Sequence, residues 1–199
     1  NLSENTNSGF SVAAGNVAML RSTGMLQIQF DSQDDSYLDV PLGFNFKFYG
    51  NSYSIIYPGS NTYITVGGGS RQYRDLSLTG SPPYAGIHLG TADNSYQRVW
   101  KLVDPNFVRV YYEGTAATGG TPGYPNITYE ATFFKPDINE PYQYIQVSFG
   151  DHANSNRNFG VTSGSGSPAP TSGGVIDDFS TYVFRSDSTG NNWQILSTS

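Results

Sequence analysis

The stretch PLGFNFKFYGNSYSIIYPG, residues 41–59, decides the fold. Phenylalanine occupies every second position from 44 to 48, which is the period of a strand that turns one face to a core. Gly50-Asn51 then gives a turn signal, and an apolar residue again occupies every second position from 53 to 57. This stretch therefore predicts a β-hairpin with one buried face.

The same two-residue period recurs along most of the chain. Further strands are predicted at 26–30, 62–66, 97–103, 107–113, 127–134, 142–149, 159–162, 181–185 and 193–196. The Gly-rich pieces 67–69, 114–123 and 164–174 are predicted loops, and no window has the 3.6-residue period of a helix. We predict an all-β fold, an antiparallel β-sandwich or jelly roll of about ten strands with long Gly/Ser/Asn-rich loops.

The Gly-rich pieces lie between predicted strands, so we expect them to be loop tips within one domain and not domain linkers. The predicted sandwich domain covers residues 21–199. An N-terminal arm or lead-in segment is expected over residues 1–20. Because the chain begins Asn1-Leu2-Ser3, without Met or a signal sequence, we expect a processed, excised or partial chain.

Composition argues against several functional classes. Only 13% of the 199 residues are charged, and the formal net charge is −6. The ten Lys and Arg residues are scattered and form no basic patch, so we expect no nucleic-acid partner. No apolar run approaches the ~20 residues of a membrane span, so we expect no membrane insertion. The lack of Cys excludes disulfides, thiolate catalysis and Cys-zinc sites.

Catalytic candidates are few. The two His residues lie in an apolar run and a polar loop, without the pattern of a Ser-His-acid triad. Glu113 and Glu130 lie on predicted strands, and two carboxylates ~5 Å apart could act as the acid and the nucleophile of a glycosidase. The alternative is that they form cross-strand ion pairs with Arg98 or Arg109, which the presence of two arginines on predicted strands favours.

One polar loop has the oxygen ligands that calcium prefers, with Asp151, Asn154 and Asn156 as the candidate residues. The loop lacks the bidentate Glu and the turn Gly of a standard calcium loop. Asp and Asn are also ordinary turn residues. We therefore predict no metal site and no cofactor, and keep these three residues as the calcium candidates.

Three tyrosines are the candidate binding residues. Tyr73, Tyr84 and Tyr124 lie in or beside Gly/Pro loops. A tyrosine ring offers a flat apolar face and a polar hydroxyl, which suits sugars and protein surfaces. The alternative is that these rings fold back and cap the edges of the core.

Several of these motifs resemble known families. The sequence PLGFNFKFYG at 41–50, followed by SNTYITVG at 60–67, resembles β-sandwich domains of nidogen-like adhesive proteins. Three further pieces are similar to a domain of virion structural proteins of tailed bacteriophages, especially marine and cyanobacterial ones. These pieces are AGIHLGTADNSYQRV at 85–99, VRVYYEGT at 108–115 and PNITYEATFF at 125–134. The resemblance covers about residues 40–165 and contains no catalytic motif.

The resemblance implies a non-enzymatic virion structural protein, or an appendage, tail-fibre or decoration domain. Its expected partners are copies of itself or other virion subunits, together with a host surface glycan or protein, and its expected location is the virion surface or the extracellular space. Such proteins are usually symmetric homo-oligomers. A cellular adhesin or carbohydrate-binding module is the alternative function. A jelly-roll glycoside hydrolase using Glu113 and Glu130 is the third.

Overall fold

The computed structural model describes residues 24–28, 35–73, 76–79, 84–91, 94–95, 98–114, 116–117, 128–151 and 158–198. These ranges contain fifteen strands and no helix. The strands are β1 (Leu26–Gln27), β2 (Val40–Phe48), β3 (Asn51–Pro58), β4 (Tyr63–Val66), β5 (Gly86–Leu89), β6 (Asn94–Ser95), β7 (Arg98–Asp104), β8 (Phe107–Glu113), β9 (Ala116–Ala117), β10 (Thr128–Phe134), β11 (Tyr144–Phe149), β12 (Asn158–Thr162), β13 (Thr171–Val175), β14 (Ser180–Arg185) and β15 (Gln194–Thr198).

Two antiparallel sheets form the fold. The seven-stranded sheet has the order β1-β7-β8-β10-β11-β14-β15, and the six-stranded sheet has the order β13-β12-β5-β4-β3-β2. A separate ribbon pairs β6 with β9. One hydrophobic cluster joins the inner faces of both large sheets. The predicted all-β antiparallel sandwich is confirmed, with thirteen strands in its two sheets where the sequence indicated about ten.

The predicted hairpin at residues 41–59 is formed by β2 and β3. Burial alternates without exception along β2, and Phe46 and Phe48 are fully buried. Tyr49 and Gly50 make the turn with φ of 47° and 83°, the positive values that a two-residue type I′ hairpin turn requires. Trp193, which precedes β15, packs on Phe46 with ring centroids 6.3 Å apart. The phenylalanine face of β2 is thus fixed between the two sheets.

In β3, the second strand of this hairpin, the residues that are buried are not the ones that the sequence alternation indicated. Ile56 and Pro58 are the buried residues of β3, whereas Tyr53, Ile55 and Tyr57 are half-buried. A register shift between Pro41 and Phe46 separates the two halves of the pairing. Tyr53 packs against the edge of the core while part of its surface stays exposed.

One predicted loop contains a strand. Within 164–174, β13 begins at Thr171 and pairs with β12, so the prediction of an uninterrupted loop there is wrong. The Ser-Gly-Gly composition of β13 hides it from a search for alternating apolar residues. The strands predicted at 97–103 and 107–113 are confirmed as β7 and β8, which pair in a hairpin whose turn is closed by a 2.9 Å hydrogen bond from the Asn106 amide to Asp104 Oδ1.

Residues 1–20, the predicted arm, lie outside the described residues. In the ranges that the structure describes, there is no helix long and apolar enough to cross a membrane.

Candidate functional site

A surface groove lies at one end of the six-stranded sheet, where the start of β3, the end of β4, the start of β5 and the end of β12 meet. Its volume is about 420 Å³, within the range of roughly 300–1,000 Å³ that is typical of ligand sites. We call it the tyrosine groove. It is lined by Tyr49, Asn51, Tyr53, Val66, Gly67, Tyr84, Ala85, Ser163, Ser165, Ser167 and Pro168.

Glycines set the positions of two of its tyrosine rings. A Cβ added to Gly67 would lie 3.3 Å from Cε1 of Tyr53, and a Cβ added to Gly68 would lie 2.7 Å from Cζ of Tyr84. Because neither glycine has a side chain, both rings lie directly against the backbone that follows β4. The Tyr84 ring keeps 38% of its surface exposed.

The third ring belongs to Tyr49, in the hairpin turn. Its backbone amide donates a 2.7 Å hydrogen bond to the Gly190 carbonyl, and its ring packs edge-on against Phe48 with centroids 5.2 Å apart. Burial raises the pKa of its hydroxyl above the usual value. That hydroxyl is buried and has no hydrogen-bond partner among the described residues. Tyr49 therefore combines a fixed backbone with an unused polar group.

The opposite wall is the serine loop, residues 163–168, which is organised by its own hydrogen bonds. The Ser163 hydroxyl donates to the Pro168 carbonyl at 3.1 Å, and the Ser165 hydroxyl donates to the Ser167 carbonyl at 3.0 Å. Ser163 Oγ also accepts a 3.4 Å hydrogen bond from the Ser165 amide. Each hydroxyl has one proton and two lone pairs, so each oxygen still has a lone pair that can accept. The loop thus presents hydrogen-bond acceptors to the groove.

The structure places two of the three predicted binding tyrosines. Tyr84 lines the groove, whereas Tyr73 lies 39% exposed in the segment that follows β4 and does not line it. Tyr124 lies outside the described residues. Sequence reasoning missed Tyr49, Tyr53 and the serine loop. Two sequence features could have indicated them: Tyr49 lies beside the turn residue Gly50, and the Gly-Ser-Gly-Ser sequence at 164–167 was interpreted only as a loop.

Both candidate catalytic glutamates are paired with arginines across strands. Arg98 Nε lies 3.1 Å from Glu113 Oε1, and Arg109 Nε lies 3.5 Å from Glu130 Oε1. Glu113 also accepts a 3.1 Å hydrogen bond from the indole N–H of Trp100. These contacts are the ones that the non-catalytic alternative predicted.

Glu130 has the electrostatics of a buried sheet residue. Burial raises the pKa of its carboxyl, and the nearby Arg109 guanidinium partly offsets that rise. Arg109 Nε also donates a 3.1 Å hydrogen bond to Thr132 Oγ1. The glutamate is therefore tied to its neighbours on the outer face of the seven-stranded sheet.

A smaller cavity of about 250 Å³ lies on the outer face of the six-stranded sheet. His88 lines it from β5 and is only 3% exposed. Its Nε2 has no hydrogen-bond partner within the described part of the chain, and burial lowers the pKa of the ring to about 4. The other lining residues are Leu76, Ser77, Leu78, Thr79, Thr91 and Asn158.

Of the calcium candidates, Asp151 is half-buried, and its carbonyl accepts a 3.3 Å hydrogen bond from the Thr128 amide. Asn154 and Asn156 lie outside the described residues. The described ranges hold no cluster of three or more His, Cys, Asp or Glu side chains that could bind a metal ion.

Among the described residues that line the tyrosine groove, tyrosine is the only ionisable type. The groove therefore offers aromatic rings and hydrogen-bonding groups. Comparison with known proteins adds no relative to this picture: no family model, no curated protein and no solved structure matches the chain.

Proposed function

We propose that the chain is a non-enzymatic structural module of a virion, such as an appendage or decoration domain, that assembles with copies of itself. The resemblance of residues 85–99, 108–115 and 125–134 to virion structural proteins supports the setting. The ion pairs on Glu113 and Glu130 support a role other than catalysis, because each carboxylate is engaged by an arginine.

The observation that supports self-assembly most directly is the exposure of apolar side chains on strands at the edges of the two sheets. The carboxyl end of β2 is covered, because the Lys47 amide donates to Gln143 Oε1 at 2.9 Å and the amide of Tyr49, which follows the strand, donates to the Gly190 carbonyl. By contrast, β1, β13 and β15 end their sheets among the described strands. Leu26 of β1 is 65% exposed and Val175 of β13 is 48% exposed, while the Thr171 hydroxyl at the start of β13 donates to the Trp193 carbonyl at 3.0 Å. Unpaired edges with apolar side chains are templates for association.

Native mass measured by light scattering tests this proposal. We expect a closed oligomer of three or more chains. We expect the double variant Leu26→Ser, Val175→Ser to dissociate, because a stable interface generally buries more than about 1,000 Å² and needs an apolar centre. Ile138→Ser is the control, since Ile138 is 92% exposed in the loop between β10 and β11. It should keep the native mass of the wild type.

A monomeric wild type at every accessible concentration would overturn self-assembly. It would favour the second candidate function, a cellular adhesin or carbohydrate-binding module. The tyrosine groove is the observation that supports this second candidate, because an open groove with several aromatic rings and convergent polar groups is what such a module needs.

A further inference from the structure

The hydrogen-bonding capacity that remains in the residues lining the tyrosine groove indicates what kind of ligand it can bind. The hydroxyl protons of Ser163 and Ser165 are already donated to carbonyls within the serine loop. Their remaining capacity is as acceptors, so these two serines suit a ligand that brings hydrogen-bond donors. Asn51, which is exposed at the start of β3, adds an amide that can both donate and accept.

The rings add a second requirement. Tyr84 lies against Gly68 with 38% of its surface exposed, and Tyr53 lies against Gly67. Exposed aromatic faces bind flat apolar surfaces, and tyrosine does so at low conformational cost. A ligand with one apolar C–H face and a rim of hydroxyl groups satisfies both walls.

The lack of charge among the described residues of the groove further restricts the class of ligand that it can bind. None of the described residues that line the groove is charged at neutral pH, and the chain as a whole has a formal net charge of −6. An acidic ligand would meet no cation in the groove and would be repelled by the rest of the molecule. A basic ligand would find no carboxylate there.

We propose that the tyrosine groove binds an uncharged oligosaccharide, with a sugar ring stacked on Tyr84 and sugar hydroxyls donating to Ser163 and Ser165. The inference rests on the second candidate function, a carbohydrate-binding module, and does not depend on whether the chain self-assembles. A proline-rich peptide, which also docks on aromatic grooves, fits less well. Proline has no N–H, so a polyproline segment cannot satisfy the serine acceptors.

The test measures binding of the full chain to a defined panel by titration calorimetry and ligand-observed NMR. The neutral probes are hexamers of α-1,4-glucose, β-1,4-glucose and N-acetylglucosamine. The acidic probes are sialyllactose and a galacturonate hexamer, and the peptide probe is a proline decamer. We expect binding to at least one neutral probe and to none of the others.

Two matched variants locate the site. Tyr84→Ala should weaken binding of the neutral probe about tenfold or more, because it removes the stacking surface. Tyr73→Ala removes an equally exposed ring outside the groove, and it should leave the affinity within twofold of wild type. Far-UV circular dichroism verifies that both variants fold.

Binding of acidic probes alone, of the peptide alone, or of no probe would overturn this inference. Equal losses in the two tyrosine variants would also overturn it. None of these outcomes changes the native mass, so failure of the inference is distinguishable from failure of the assembly proposal.

Discussion

At the scale of single residues, His88 makes stability depend on pH. Burial lowers its pKa from 6.5 to about 4 in the folded chain, so the unfolded chain binds a proton at a higher pH than the folded chain does. Unfolding therefore takes up a proton between these two values. As pH falls through this window, the free energy of unfolding should decrease by up to about 3 kcal/mol from this residue alone.

Urea denaturation at pH 7.5, 6, 5 and 4.5 measures this effect, with His88→Phe as the reference. The phenylalanine ring can occupy the same position, because the cavity beside His88 leaves room and Tyr63 lies 5.8 Å away, ring centroid to ring centroid. The difference in stability between the two proteins isolates His88 from the other titrating groups. Curves that stay parallel from pH 7.5 to 4.5 would contradict the prediction.

Residue-level predictions from sequence succeeded where the chemistry is local. Glu113 and Arg98 lie opposite each other on β8 and β7, so opposite charges on neighbouring predicted strands were enough to predict their pairing. The burial of His88 beside a cavity, unlike the pairing of Arg98 with Glu113, could not be predicted from neighbouring residues in the sequence. Its apolar neighbours in the sequence are consistent with burial, but no sequence pattern indicates the cavity beside it, which depends on how the segment 76–79 lies on the sheet.

At the scale of elements, two adjacent glycines of β13 have different functions in the fold. A Cβ on Gly173 would overlap the ring of Phe159, whereas a Cβ on Gly174 would meet nothing within 4 Å. Phe159 cannot move aside, because it is fully buried and its ring centroid lies 4.5 Å from that of Tyr182. Gly174 has a φ of 85°, so alanine there meets backbone strain but no collision.

We expect Gly173→Ala to lower the free energy of unfolding by about 3 kcal/mol, and Gly174→Ala by about 1 kcal/mol. Chemical denaturation of both variants measures the two costs on the same strand. Equal losses, or a larger loss for Gly174→Ala, would show that β13 does not lie against Phe159 as described.

The same strand shows the limit of sequence reasoning about elements. The phenylalanine alternation of β2 predicted that strand correctly because the side chains themselves carry the pattern. β13 has no such alternation of apolar side chains. It fits the sheet because Gly173, which has no side chain, leaves space for the Phe159 ring of the neighbouring strand. Composition alone assigns such a segment to a loop.

At the scale of the whole molecule, the sandwich was predictable but the tyrosine groove was not. Strand number and turn spacing indicate two packed sheets. The groove brings together residues 49–53, 66–67, 84–85 and 163–168, which are distant in the chain and meet only because β12, β5, β4 and β3 are neighbours in one sheet. Strand order across a sheet is a long-range property that local periodicity does not contain.

This arrangement also determines how the molecule unfolds. Core residues of both sheets belong to one continuous cluster, and Trp193 packs against Phe46 and Phe48 between them. Neither sheet can separate without exposing this shared apolar surface. Unfolding of the whole sandwich should therefore be a single cooperative transition.

The variant Trp100→Phe tests this, because Trp100 is half-buried on the outer face and its removal leaves Trp193, 7% exposed, as the remaining tryptophan. Its fluorescence then reports the contact between the sheets, while far-UV circular dichroism reports the strands. We expect the two signals to give the same denaturant midpoint. A change in Trp193 fluorescence at a lower denaturant concentration than the change in circular dichroism would contradict this prediction. The two sheets would then separate before their strands unfold, and the shared core would not be required for strand structure.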